Sequence, residues 1–161
     1  MTFNELLQIL LITLIPTLEL RASLPYAILV LGMPWFSAFL FVVLVNIILG
    51  PVVYFLLRAF LHLFIKIPFF NRLYEHSLHR VQTKIRPKVE RYGELGLALF
   101  IGIPLPGSGV YTGALAAFVL GIKPRKFMVA TIIGVLIAAL LVLVAVLTGA
   151  GIFQWIIKES V

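Results

Sequence analysis

Apolar residues occupy the chain in blocks and charge is confined to the gaps between them: Ala22–Leu57, Leu95–Ile122 and Phe127–Ile157 hold no Asp, Glu, Lys or Arg. A helix rises about 1.5 Å per residue and the hydrocarbon core of a bilayer is about 30 Å thick, so roughly 20 apolar residues suffice to cross it. The pattern predicts spans at 35–60 and 126–148. Two other apolar regions are broken in their middles, by "PTLELRASLP" at 16–25 and by "PLPGSG" at 104–109. The flanking pieces run about 9–13 residues and reach roughly half the depth of the core, which suits re-entrant hairpins at 5–33 and 94–122. Pro104 and Pro106, with Gly107 and Gly109, leave little room for a continuous helix through the second break.

The broken segments resemble each other. "LLITLIPTLELRASLPYAILVLGMP" lies over "LALFIGIPLPGSGVYTGALAAFVLGIKP", with Pro16 over Pro104 and Gly32 over Gly121, and a long uncharged run follows each. Weak internal symmetry of this kind is the sequence signature of transporter repeats. Between the copies, Phe70, Tyr74, Leu78, Val81, Ile85, Val89 and Tyr92 recur every three or four positions among Arg, Lys and His. That periodicity predicts an amphipathic helix on the membrane surface over 68–93, kinked at Pro87.

Charge then orients the elements. Arg58, Lys66, Arg72, Arg80, Lys84, Arg86, Lys88 and Arg91 carry much of the +7 net charge, and basic residues near spans mark the cytoplasmic side. If all four apolar segments crossed, "KPRK" at 123–126 would lie outside, against the charge rule; if 94–122 dips in and returns, it lies inside with the block at 58–91. By symmetry the first hairpin enters from the outer face, and one full crossing between the hairpins makes the copies inverted. The expected fold is an all-α membrane protein: an inverted repeat of a re-entrant helical hairpin plus a transmembrane helix, with an amphipathic interfacial helix between the copies. One membrane domain, 1–161, comprises a first repeat at 1–67, the connector at 68–93 and a second repeat at 94–161.

Composition fits this class: 62% of the 161 residues are hydrophobic and 12% charged, against about 45–50% and 25% in soluble domains. The acidic "MTFNELL" start does not resemble a secretory leader and is taken as mature chain. Cysteine is absent, which removes disulfides and thiolate chemistry. No Walker loop, nucleophile elbow or paired catalytic carboxylates occur, so no enzyme activity and no cofactor are expected. His62, His76 and His79 form no metal-ligand pattern, and the basic block lacks a nucleic-acid motif.

The breaks hold the candidate chemistry. A charge at mid-bilayer costs about 2.5–3.5 kcal/mol, so Glu19 and Arg21 require a sheltered cavity. Ser23 is a candidate cap for the half-helix that follows, with Pro25 in its first turn; Ser108 or Thr112 is the counterpart in the second break. Gly107, Gly109 and Gly113 permit close backbone approach. Two half-helix N-termini would aim N–H groups at one point, and with Arg21 the site favours an anion of phosphate type. The substrate-binding set is Glu19, Arg21, Ser23, Pro25, Pro104, Pro106, Gly107, Ser108, Gly109, Tyr111, Thr112 and Gly113. Glu19 either neutralises Arg21 or carries a coupled proton. Asn46 is read as interhelical glue, and Gly50-Pro51 as a kink.

"ELRASLP" (19–25) followed by "PLPGSGVYTGAL" (104–115) resembles the small multidrug export protein family, which in turn is similar to the DedA superfamily, also called VTT-domain proteins. That resemblance implies inverted re-entrant hairpins and a proton-linked transporter of a lipid or lipid phosphate in a prokaryotic plasma membrane. DedA proteins typically carry an arginine in the second hairpin, where this chain has "PGSG". The leading expectation is a transporter or flippase of a lipid-linked or small phosphate-type anion. Its alternatives are a proton-coupled exporter of small cationic drugs and a non-transporting scaffold. Expected partners are membrane lipids, the anionic substrate and a second copy in a homo-oligomer (dimer), since a thin protein would otherwise expose broken backbone to lipid.

Overall fold

The computed structural model describes residues 2–64, 92–103 and 108–159, all of them helical or connecting, with no strand among the described residues. Six α-helices follow in order: α1 (Phe3–Leu14), α2 (Glu19–Pro25), α3 (Trp35–Phe64), α4 (Glu94–Gly102), α5 (Val110–Val119) and α6 (Pro124–Glu159). The predicted surface helix at 68–93 lies outside the described residues except for Tyr92 and Gly93.

Two helices are long and apolar enough to cross a bilayer, over Trp35–Ala59 and Pro124–Gly149, close to the spans expected at 35–60 and 126–148. The others are too short: the 12 residues of α1 rise about 18 Å at 1.5 Å each. Large apolar side chains cover the outside as well as the interior. Phe36, Leu40, Leu44, Ile48 and Val52 form an exposed stripe along α3, four residues apart and so on one helical face. Such a surface suits lipid and not water.

Both breaks form in the same way. α1 begins at a capping box, with Thr2 Oγ1 accepting from the Glu5 N–H and Glu5 Oε2 accepting from the Thr2 N–H, and it ends at Ile15, whose backbone turns extended at φ −77°, ψ 120°. α4 ends at Ile103 with φ −76°, ψ 119°. Each isoleucine precedes a proline, and the proline ring drives the preceding residue out of the helical region. The second arms also end alike: Gly32 and Gly121 take φ +64° and +65°, the left-handed conformation that closes a helix C-terminus at little cost only for glycine. The chain reaches Gly32 through one π turn, Tyr26–Val30, which follows Pro25.

The chain folds back on itself at each break. The Tyr26 hydroxyl donates to Gln8 Oε1 at 2.9 Å, joining residues equally far before and after the first turn. In the second, Gly113 sits directly on the Ile101 side chain, leaving no room for a Cβ. Lys126 Nζ meets Glu94 Oε1 at 2.6 Å, so the chain begins α4 and leaves α5 at one end of the molecule. Small residues allow α4 to lie against α6: a Cβ on Gly134 would come within 2.7 Å of the Ala98 carbonyl oxygen, and one on Gly102 within 3.2 Å of the Gly134 carbonyl oxygen, the close backbone approach favoured between helices in lipid. The second arms exchange partners. Besides its own first arm α1, α2 packs most on α6, and α5 packs most on α3, and this exchange carries the two turns into contact.

Candidate substrate-binding site

Glu19 and Arg21 lie at the start of α2, and both reach across to the second turn. Glu19 is 1% exposed. Its Oε2 accepts from the Val110 N–H at 3.0 Å and its Oε1 from the Tyr111 N–H at 3.3 Å. A helix leaves its first N–H groups without internal partners, and here the carboxylate of Glu19, from the first turn, caps two of them for α5. The arrangement constrains two backbones. Glu19 takes φ +45°, the one non-glycine with positive φ among the described residues, a conformation costing about 1–2 kcal/mol for an L-residue. At Gly109, φ +126°, the carboxylate fills the space of the missing side chain: a Cβ there would lie 2.9 Å from Glu19 Oε1 and closer still to Oε2.

Arg21 binds the same turn on its other side. Its Nη1 donates to the Ser108 carbonyl at 2.6 Å, and Nη2 donates to Ser108 Oγ at 2.8 Å and to the Ile103 carbonyl at 3.3 Å. Ser108 Oγ in turn donates to the Ile103 carbonyl at 2.6 Å. The third guanidinium nitrogen, Nε, is buried without a partner among the described residues. No ion pair joins Glu19 to Arg21 among the described residues; neutralisation of one by the other gives way to separate grips on the second turn.

An open groove of about 490 Å³ runs from Arg21 and Pro25 past Leu29 to Leu141, Val142, Ala145, Val146 and Gly149. Arg21 is its one charged wall residue among the described residues, and hydrocarbon lines the rest. Sequence reasoning missed the α6 side of this groove, because residues 141–149 read as an undifferentiated apolar run until α2 packs beside them.

Several expected site residues take other roles. Ser23 does not cap a half-helix: the helix already starts at Glu19, and Ser23 Oγ donates to the Glu19 carbonyl at 2.9 Å. Pro25 is at the end of α2, not in its first turn, and is part of the groove. Neither Ser108 nor Thr112 caps α5, whose N-cap is Gly109 and whose free donors go to Glu19. The N-terminus of α5 is therefore not presented to a ligand. Tyr111 Oη donates to the Leu14 carbonyl at 2.6 Å, closing the contact between turns, and Gly113 serves packing against Ile101. Pro104, Pro106 and Gly107 lie outside the described residues. Asn46 is fully buried, and its amide donates to the Val42 carbonyl of its own helix at 2.9 Å.

Together these relationships define an all-helical membrane protein whose two interrupted helices interlock around a buried carboxylate, with a guanidinium on the wall of an apolar groove. A family model described as "Putative small multi-drug export protein" matches residues 19–141, well over half of the chain, and the chain belongs to that family. Comparison with curated proteins and with solved structures gave no match.

Proposed function

We propose that the protein is a transporter of a phosphate-type anion, lipid-linked or small, bound at Arg21. The observation that carries the proposal is the placement of Arg21, the charged side chain on the wall of an otherwise apolar groove. A guanidinium presents a fork of donors matched to phosphate oxygens, and a hydrocarbon wall beside it suits the chain of an amphiphile. The distant similarity of the family to the DedA superfamily supports the lipid-linked form, although the second turn lacks the arginine typical of DedA proteins. Glu19 is the internal anion of the site and the group through which proton coupling would run.

The hairpins are read as re-entrant from opposite faces, as an inverted repeat. The shared break geometry at Ile15 and Ile103 and the Glu94–Lys126 contact support this, the latter because "KPRK" then lies on the same side as the start of α4. Positive charge near the spans favours the cytoplasmic face for that side of a multi-pass plasma membrane protein, and association into a dimer would cover the thin assembly.

The family's description favours a second reading, export of small cationic drugs in exchange for protons at Glu19. The fixed charge of Arg21 beside that carboxylate opposes it, because like charges repel strongly where little water screens them. Reconstituted wild type, Arg21→Ala and Glu19→Gln, assayed for movement of a lipid phosphate analogue and of a quaternary ammonium dye, separate the two. Anion movement lost in Arg21→Ala supports the proposal; dye movement that survives Arg21→Ala supports the second reading.

A further inference from the structure

Away from the two turns, a second polar locus sits where α3 crosses α6. The helices run antiparallel there. Tyr54 stacks on Phe127 with ring centroids 5.2 Å apart and donates its hydroxyl to the Ile122 carbonyl at 3.0 Å. One turn back along α3 and one turn forward along α6, Thr131 packs on Gly50, where a Cβ would lie 2.7 Å from Thr131 Cγ2 and 3.3 Å from its Oγ1. A further turn back on the same face of α3 is Asn46. Asn46 is 0% exposed and Thr131 1%, yet Asn46 Oδ1 and Thr131 Oγ1 have no hydrogen-bond partner among the described residues. The Asn46 amide nitrogen is committed to the Val42 carbonyl, which fixes Oδ1 as the free atom.

Pro51 adds a third oxygen. It lies inside α3 and has no N–H for the carbonyl four residues earlier, so the Ile47 carbonyl, next to Asn46, loses its helical donor. A carboxamide oxygen and a main-chain carbonyl oxygen thus lie within one turn of Gly50 on α3, and a hydroxyl oxygen lies opposite it on α6. Buried polar atoms are rarely left unsatisfied without a reason. Carbonyl oxygens freed where a membrane helix is interrupted are known ligands for coupling ions. Hard divalent ions call for carboxylates, and no cluster of His, Cys, Asp or Glu suited to a metal occurs among the described residues.

We propose that Asn46 Oδ1, Thr131 Oγ1 and the Ile47 carbonyl form a binding site for a small monovalent cation, Na+ being the ion whose preference for neutral oxygens fits best. The site is separate from Glu19 and Arg21 and does not depend on the identity of the anion. Co-binding of such an ion would offset the charge of an anion moved through the protein.

The test uses the purified full chain in detergent without substrate. Thermal unfolding is followed in NaCl, KCl and choline chloride at equal ionic strength, and binding of radiolabelled Na+ is measured directly. The expected result is a rise in Tm specific to Na+, kept in Thr131→Ser and weakened at least tenfold in Na+ concentration in Thr131→Val. Equal Tm in the three salts, with no saturable Na+ binding to wild type, overturns the proposal and leaves these oxygens to a buried water. An unchanged Na+ response in folded Thr131→Val overturns it as well. Should Thr131→Val fail to fold, saturable wild-type binding displaced by NaCl and not by KCl supports the site, and its absence removes it. Neither measurement involves an anion, so failure here is distinct from failure of the transport proposal.

Discussion

The Glu19 carboxylate caps the first turn of α5 from another part of the chain, with Oε2 3.0 Å from the Val110 nitrogen. Through this contact the two broken helices hold each other's ends. Removing the side chain in Glu19→Ala leaves the buried Val110 N–H unsatisfied, at about 1–3 kcal/mol, and the part-buried Tyr111 N–H without its acceptor. Glu19→Gln keeps one acceptor and turns an amide N–H₂ toward the other donor. Unfolding in detergent should rank wild type above Gln and Gln above Ala; equal stability of all three would show that the cap contributes nothing.

Gly109 and Gly32 form a controlled pair. Both have positive φ, but a Cβ on Gly32 meets nothing within 4 Å whereas one on Gly109 strikes the Glu19 carboxylate. Gly32→Ala should cost only the left-handed backbone penalty of about 1–2 kcal/mol. Gly109→Ala meets a larger backbone penalty, since φ +126°, ψ −167° is essentially a glycine conformation, and adds the carboxylate contacts; it should lower Tm by clearly more, and by less in a Glu19→Ala background, which relieves the contacts alone. Similar losses in both would remove the steric role assigned to the carboxylate.

Local signals made much of the architecture legible. Pro16 and Pro104 announced the breaks, because a proline restricts the residue before it as well as itself. Gly32 and Gly121 matched in sequence and adopt one conformation. The long apolar runs showed both spans. The pairing of Glu19 with Val110 and of Arg21 with Ser108 was not legible, since nothing in either segment's pattern specifies a partner some ninety residues away. Ser23 misled for a local reason: its hydroxyl can serve a cap or the carbonyl one turn back, and because the helix already starts at Glu19 it serves the second. The unpartnered oxygens of Asn46 and Thr131 emerged only once α3 and α6 were packed.

Arg21→Lys tests whether charge alone suffices. A lysine is a point charge that cannot span Ser108 O, Ser108 Oγ and Ile103 O as the guanidinium does. Losing one or two charge-assisted hydrogen bonds, each about 1.5–3 kcal/mol, should reduce transport of a lipid phosphate analogue at least tenfold in liposomes. Full activity in Arg21→Lys would mean that the fork geometry plays no part.

Gly149→Leu tests the groove. Gly149 lines it, and a Cβ there has open space around it, so the change should fold normally and fill only the groove. Movement of a long-chain phosphate should fall, while uptake of inorganic phosphate, if the protein carries it, should persist. Undiminished movement of the long-chain substrate would exclude the groove as its path.

The most direct test of the account asks from which side each hairpin enters the membrane. The chain has no native cysteine, so the single variants Thr2→Cys, Pro34→Cys, Tyr92→Cys and Lys123→Cys can be labelled with a membrane-impermeant maleimide in oriented vesicles. Positions 2 and 34 should react from one face and positions 92 and 123 from the other. Labelling of 2 and 34 from opposite faces, or of 92 and 123 from opposite faces, would make the interrupted helices ordinary crossings and contradict the account.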